Sequence, residues 1–478
     1  DDGVTVPALR PWCELPVSDE AKAYSGTVRY ETAFTLPDGL PPQLFLDLGE
    51  VSSIARVELN GQDLGTVWSE PNVVDCSAAA RAGENRLVVE VTSAWRNRLA
   101  YDAGLPPERR KTWTTRRPTG DTRTPYGLLG QVRLLSSGPR RVTLLDGADW
   151  NVPVPHTWNV ADGSDGRDVP PGARPNQSAM RASYRRGPFT YVRDLPPKSL
   201  WPRRYFLEFE GASQKAVVRV NGREVGRHNG AFTSFCFEIT DALGTASNRL
   251  EVVVDNTYDP ECLPVNADYT MYGGLYRSVR LLDCPTSCID PRVPVRLDAD
   301  CATGMAVARY VLSTPTGAVA KVQTRTYPGF ARWSPESPRL YSFDLAEGSD
   351  RLSVPFGFRT AEFRDGHFYL NGERLFLKGV NRHQDKAGKG WALSPEDEEE
   401  DVRLMKEMGC NVVRTSHYPQ SRHFLDLCDR LGLIVWSEMP LVDLVTPTET
   451  FRSNLLAVVG EAVGERYNHP SICLWSVF

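Results

Sequence analysis

The feature that most limits what this chain can fold into is an internal repeat. The run QLFLDLGEVSSIARVELNGQDLG at 43–65 is echoed by RYFLEFEGASQKAVVRVNGREVG at 204–226. Each copy sets an Asn-Gly pair, Asn60-Gly61 and Asn221-Gly222, between two stretches of alternating apolar and polar residues. Asn-Gly in that setting favours a tight hairpin, because both central residues of a type I′ turn take positive φ. NRLVVEV at 85–91 answers NRLEVVV at 248–254, and YGLLGQVRLL at 126–135 answers YGGLYRSVRLL at 272–282. Three matched segments in one order predict two related β-sandwiches of short strands, of jelly-roll or related type. The repeat is too long for a solenoid period.

Beyond the second copy the pattern changes. Segments such as ARYVLST and LYSFDLA suggest a third, shortened Ig-like sandwich. From Phe368 onward, LFLKGV (375–380), NVVRT (411–415), LIVWSE (433–438) and ICLWSVF (472–478) read as short apolar strands. They alternate with three helical patterns at 394–409, 421–432 and 449–468, the first opened by a Ser N-cap and a Pro at its first helical position. Buried strands alternating with amphipathic helices predict a parallel sheet, here the first half of a (β/α)8 TIM barrel. The expected domains are 1–138, 139–288, 289–362 and 363–478, with the Pro, Gly and Asp-rich stretch from Pro139 to Arg186 read as linker and lead-in.

Composition narrows the function classes. The 55 Lys and Arg against 60 Asp and Glu leave a net charge of -5, and neither sign forms a block that would suit nucleic acid or a membrane surface. No apolar run approaches the roughly 18 residues of a membrane span. The 10 Cys are sparse, and Cys284 and Cys288 have no matching second pair for zinc, so they read as structural thiols.

In a β/α barrel the working residues lie at the C-terminal ends of the strands. Asn381-Arg382-His383-Gln384-Asp385, Arg414-Thr415-Ser416-His417-Tyr418 and Glu438-Met439-Pro440 fall there. Such clusters suit a polyhydroxylated ligand: cationic and polar groups bond hydroxyls, and aromatic faces stack on sugar C–H groups. His383 reads equally well as a capped loop residue. Arg414 and His417 favour binding, since four polar residues in five at a strand end make poor core. Glu438 has no evident partner and reads as a hydrogen-bonding support rather than a catalytic carboxylate.

FYLNGERLFLKGVNRHQD, EEDVRLMKEMGCNVVRTSHYP, LCDRLGLIVWSEMP and NHPSICLWS together resemble the barrel domain of glycoside hydrolase family 2, and PHTWN with DYTMYGGLYRSVRLL resembles that family's sugar-binding sandwich. The resemblance covers about 140–478, whereas residues 1–140, ending in RRKTWTTRRPTGDTRTPYGLLGQVRLL, resemble the C-terminal accessory sandwich of α-L-rhamnosidases. It implies a retaining exo-β-glycosidase, with a β-galactoside as the first expected substrate and a β-glucuronide or β-mannoside as alternatives; a non-enzymatic carbohydrate-binding protein is the rival reading. It implies galactose-binding-like sandwiches and substrate contacts from Asp268, His383, Arg414 and His417. The acid/base Glu is expected just beyond Phe478, so no catalytic residue is assigned within the chain and the chain alone is expected to be inactive. The abrupt end suggests an incomplete or fused reading frame. No cofactor is expected, and no metal, because the Glu-x-His motif of some members is replaced by Glu438-Met439-Pro440. Carbohydrate is the expected partner, without nucleic acid or membrane, in a possible homo-oligomer that is periplasmic or secreted.

Overall fold

The computed structural model describes residues 4–36, 38, 40, 44–69, 72–112, 124–135, 139–160, 185–198, 203–265, 267, 269–314, 317–442 and 444–477. The chain divides into two compact units, Asp1–Pro139 with Gly348–Arg351, and Arg140–Glu347 with Leu352–Phe478.

The first unit is a sandwich. One sheet runs Thr27–Leu36, Gly83–Thr92, Ile54–Leu59 and Gln62–Val67 in that order, all neighbours antiparallel. Phe45–Asp47 lies between Val73–Asp75 and Arg133–Leu135 in a second, smaller sheet. Alternation sends Ala55, Val57 and Leu59 with Leu87, Val89 and Val91 into the core, each worth about 1.5–3 kcal/mol for the larger side chains.

The second unit opens with the paralogous sandwich. Pro188–Leu195, Asn248–Asp255, Lys215–Val220 and Arg223–Asn229 form one sheet, and Arg141–Leu144, Val279–Pro285, Arg203–Phe209 and Phe235–Glu238 the other. The linker expected from Pro139 therefore already contains an edge strand: Arg141–Leu144 pairs with Val279–Pro285, which leaves only four residues of strand to read within polar surroundings. Residues 161–184 of that stretch lie outside the described residues.

The repeat has a physical cause that joins two of its matched segments. Asn60 and Gly61 take φ of 53° and 82°, and Asn221 and Gly222 take 52° and 79°, as a type I′ turn requires. The amide of Asn60 donates to Asn85 Oδ1 at 2.8 Å and to the Ala79 carbonyl at 2.8 Å, and its Oδ1 accepts from Arg86 N at 2.9 Å. Asn221 repeats all three bonds with Asn248 Oδ1 (2.7 Å), the Ala242 carbonyl (2.9 Å) and Arg249 N (2.9 Å). The NG turn and the NRL strand start are thus two halves of one amide network, buried on the NRL side. Both hairpins also carry a bulge at the same repeat position, between Val57 and Glu58 and between Val218 and Arg219.

A sheet of Cys288–Ile289, Met305–Thr314, Arg296–Asp300 and Gly317–Thr326 follows, then the hairpin Tyr341–Glu347 with Asp350–Phe356. After it come four parallel strands in sequence order: β1 (Gly379–Arg382), β2 (Val412–Thr415), β3 (Ile434–Glu438) and β4 (Ile472–Ser476). Helices α1 (Pro395–Glu407), α2 (Arg422–Leu431) and α3 (Glu449–Arg466) connect them. Asp397 closes a capping box on Ser394, accepting from its backbone N at 2.9 Å. Ser421 and Thr448 cap α2 and α3, accepting from Phe424 N and Phe451 N at 3.1 Å each, and Gly432 ends α2 at φ 70°.

The first barrel strand is shorter and later than expected. Leu375–Lys378 is not strand; pairing begins at Gly379, opposite Val412, because β2 offers no partner earlier. Just before it, Lys378 N donates to Asn411 Oδ1 at 2.7 Å and the Lys378 carbonyl accepts from Asn411 N at 2.8 Å. No helix among the described residues is long and apolar enough to cross a membrane.

Candidate functional site

The period of two along a strand builds the site. Val413 and Val435 are buried against the helices, so Arg414 and its β3 neighbour Trp436 face the other way, and Glu438 shares the face of Trp436. Asn381, Arg414 and Trp436 stand in one row across three strands. The Arg414 guanidinium sits 5.5 Å from the Trp436 ring centre.

Glu438 is buried, 1% exposed, and both its oxygens are engaged. Oε1 accepts from Arg414 Nε at 2.7 Å, and Oε2 lies 2.8 Å from His417 Nδ1. Arg414 Nη2 is 3.3 Å from the same Nδ1. The sequence-level reading of Glu438 as a support without an evident partner therefore acquires two partners, one on its neighbouring strand and one in the loop that follows it.

His383 stands next to this group. Its Nδ1 is 3.2 Å from the Tyr418 hydroxyl, and its ring centre is 5.5 Å from that of His417. Tyr269 packs 5.5 Å from His383 and 6.4 Å from His417. Three of the expected contact residues, His383, Arg414 and His417, are thus brought together; the fourth, Asp268, lies outside the described residues. Its described neighbours Ala267 and Tyr269 belong to the sandwich segment that reaches the barrel rim.

Sequence reasoning named Tyr418 but passed over the rest of the aromatic floor and its anchor. Trp391 and Tyr418 are buried with Phe232 and Tyr276, and Tyr418 stacks on Phe232 at 4.2 Å and 7°. Burial pushes the Tyr418 hydroxyl well above the ordinary tyrosine range. Arg277, from the repeated YRSVRLL segment, donates to Gln384 Oε1 (2.7 Å), the Pro419 carbonyl (2.8 Å) and the Phe232 carbonyl (3.1 Å). It ties the sandwich to both loops that carry the histidines. The PHTWN segment supports the same region from behind, with His156 N bonded to the Leu275 carbonyl at 2.7 Å and Gly273 N to Asn159 Oδ1 at 2.9 Å. The signal for these residues was the clustering of Trp, Tyr and Gly in GKGW and YTMYGGLY, which carries no distance information.

Other polar groups lie away from the rim. Asp426, Asp429 and His469 bring ligand atoms within 4.8 Å of one another at the N-terminal ends of the barrel strands, but His469 Nδ1 is already taken by Asp429 Oδ2 at 2.6 Å. A cavity of about 410 Å³ borders Glu208, Arg280, Arg422 and His469, and its arginines pair with Glu208, Arg422 at 2.6 Å and Arg280 at 3.3 Å.

Comparison with known proteins gives a consistent result. Residues 361–478 match the family model for "Glycosyl hydrolases family 2, TIM barrel domain", and residues 19–130 and 170–269 match "Glycosyl hydrolase 2 galactose-binding domain-like". A single sandwich model therefore spans parts of both repeat copies, including most of the stretch that resembles a rhamnosidase accessory domain. A β-glucuronidase of Bacteroides fragilis is 31% identical over 380 residues, 68% of this chain and 53% of that protein. A β-galactosidase of Thermoanaerobacterium thermosulfurigenes is 32% identical over 313 residues, 57% of this chain and 44% of that protein. A solved Bacteroides uniformis β-glucuronidase superposes with a TM-score of 0.61 at 27% identity, covering 70% of this chain and 46% of that one. The chain spans about half the length of these relatives.

Proposed function

The chain belongs to glycoside hydrolase family 2, and on that premise we propose that it supplies the sugar-contacting part of a retaining exo-β-glycosidase. The observation that carries this reading is the rim group of Arg414, His417, Glu438 and His383 at the carboxyl ends of parallel strands, over a floor of buried aromatic rings. Arg414 and the two imidazoles would bond vicinal hydroxyls, and Tyr269 would face a sugar ring. Asp268 would add a carboxylate from the sandwich loop.

Hydrolysis with retention takes two carboxyl groups about 5–5.5 Å apart, one forming the glycosyl-enzyme and the other acting as acid and then base. Glu438 does not serve as either, since both its oxygens are committed to Arg414 and His417. The two reacting carboxylates are proposed to follow Phe478.

Relatives named β-glucuronidase and β-galactosidase are alike in identity to this chain, so a terminal β-glucuronide and a terminal β-galactoside are both proposed substrates. Calorimetric titration of the chain with D-galactose and with D-glucuronate tests the site. Millimolar binding lost in Arg414→Ala and His417→Ala supports it, and the tighter ligand names the substrate class. Binding untouched by both substitutions would place the sugar on a sandwich and favour a carbohydrate-binding protein instead.

A further inference from the structure

The geometry points to Glu438 as a positioning residue that holds His417 in its Nδ1–H form and so turns Nε2 into an acceptor for a sugar hydroxyl. This rests on the reading of the rim as a sugar site and goes further, to the atom that reads the ligand.

Glu438 pairs with a guanidinium, which is always charged and only donates. The carboxylate beside it only accepts, so the 2.8 Å contact between Oε2 and His417 Nδ1 requires the proton on Nδ1. The 3.3 Å approach of Arg414 Nη2 to that same Nδ1 is then a packing contact, because two donors face each other. In a neutral imidazole the remaining lone pair sits on Nε2, on the ring edge turned away from buried Glu438. Both polar contacts of the His417 ring run through Nδ1, and among the described residues none runs through Nε2. A ligand at the rim therefore meets an acceptor, which a hydroxyl satisfies and a carboxylate does not. A uronate carboxylate would have to be read by the Arg414 guanidinium instead.

A bare structural role for Glu438 predicts the same anchoring of Arg414 but no particular state of His417. Substitution by glutamine separates the two. An amide has one acceptor; the obligate donor Arg414 claims it, and the amide NH2 then faces Nδ1 and favours the Nε2–H form.

The test is nitrogen NMR of the chain carrying 15N-labelled histidine, with the His417 resonances assigned from His417→Gln. The expected result is an Nδ1–H tautomer in the wild type, a shift to Nε2–H in Glu438→Gln, and return to Nδ1–H in Glu438→Asp. D-galactose affinity is expected to fall about tenfold in Glu438→Gln, the loss of one hydrogen bond, and to recover in Glu438→Asp. An Nε2–H signal in the wild type overturns the assignment without recourse to any variant, as does an Nδ1–H signal unchanged in a folded Glu438→Gln, even where D-galactose binds. The expected tautomers together with no sugar binding at all would support the role of Glu438 and sink the sugar-site reading instead.

Discussion

Replacing Arg277 with methionine tests how the sandwich holds the rim. The side chain is buried, 5% exposed, and donates to three acceptors. They are not equivalent on its removal. The Phe232 carbonyl keeps a second donor, Arg466 Nη2 at 3.2 Å, so it stays satisfied. Gln384 Oε1 and the Pro419 carbonyl lose the guanidinium and are left buried. At about 1–3 kcal/mol for each stranded polar group, Arg277→Met should destabilise the second unit by about 2–6 kcal/mol. Methionine matches the stem in length, so a cavity adds little to this range. With an m-value of about 2 kcal/mol/M, the urea midpoint should fall by roughly 1–3 M. Tryptophan fluorescence reports the transition, because Trp391 packs 5.3 Å from Tyr276 beside the substituted position. Arg309→Met, at an exposed pair with Asp298, serves as control and should move the midpoint by less than about 0.3 M. A midpoint in Arg277→Met that matches this control would refute the claim that Arg277 locks the two loops.

The turn network gives a second expectation: Asn221→Ala loses three hydrogen bonds and puts alanine, which tolerates the left-handed region less well than asparagine, at φ 52°, so it should cost about 2–3 kcal/mol in urea unfolding, and Asn60→Ala should behave alike in the first unit. Burial alone would raise the Asp397 carboxyl, but hydrogen bonds from Lys389, the Ser394 backbone and Lys386 hold it well below the ordinary range. Its folded value is depressed, so its stabilisation is present in full above about pH 4 and is lost as pH falls through the folded value; Asp397→Asn should remove about 1 kcal/mol at pH 7 and flatten that acid limb of the stability profile. His423 is raised by its bond to Glu398, so its contribution is complete below about pH 6.5 and fades as pH rises through the folded value; His423→Gln should erase this loss in thermal melts across that window. The 478 residues by themselves should release no 4-nitrophenol from the β-galactoside or the β-glucuronide, and measurable turnover would overturn the reading that neither reacting carboxylate lies among these residues.

What could be read from the sequence was governed by short-range chemistry. The NG turns need two residues at positive φ, and the Ser that caps the first barrel helix offers its oxygen to an orphan backbone N–H group. Alternation of apolar residues separated the sandwiches from the half-barrel for the same reason. The family's motifs then brought His383, Arg414 and His417 forward as one group, although 383 and 417 are 34 positions apart. Where a strand depends on its partner, as Leu375–Lys378 does, the apolar pattern overran the pairing that β2 could provide.

Only the tertiary structure decided who pairs with whom. Glu438 showed no partner along the chain because its partners come from β2 and the following loop, 24 and 21 positions away. Nothing local marks Arg277 within its repeated sandwich segment, yet it reaches Gln384 and Pro419 across 107 and 142 positions. A charged side chain becomes a buried anchor only when folding brings acceptors to it from distant segments and excludes water from them, and no local pattern encodes that meeting.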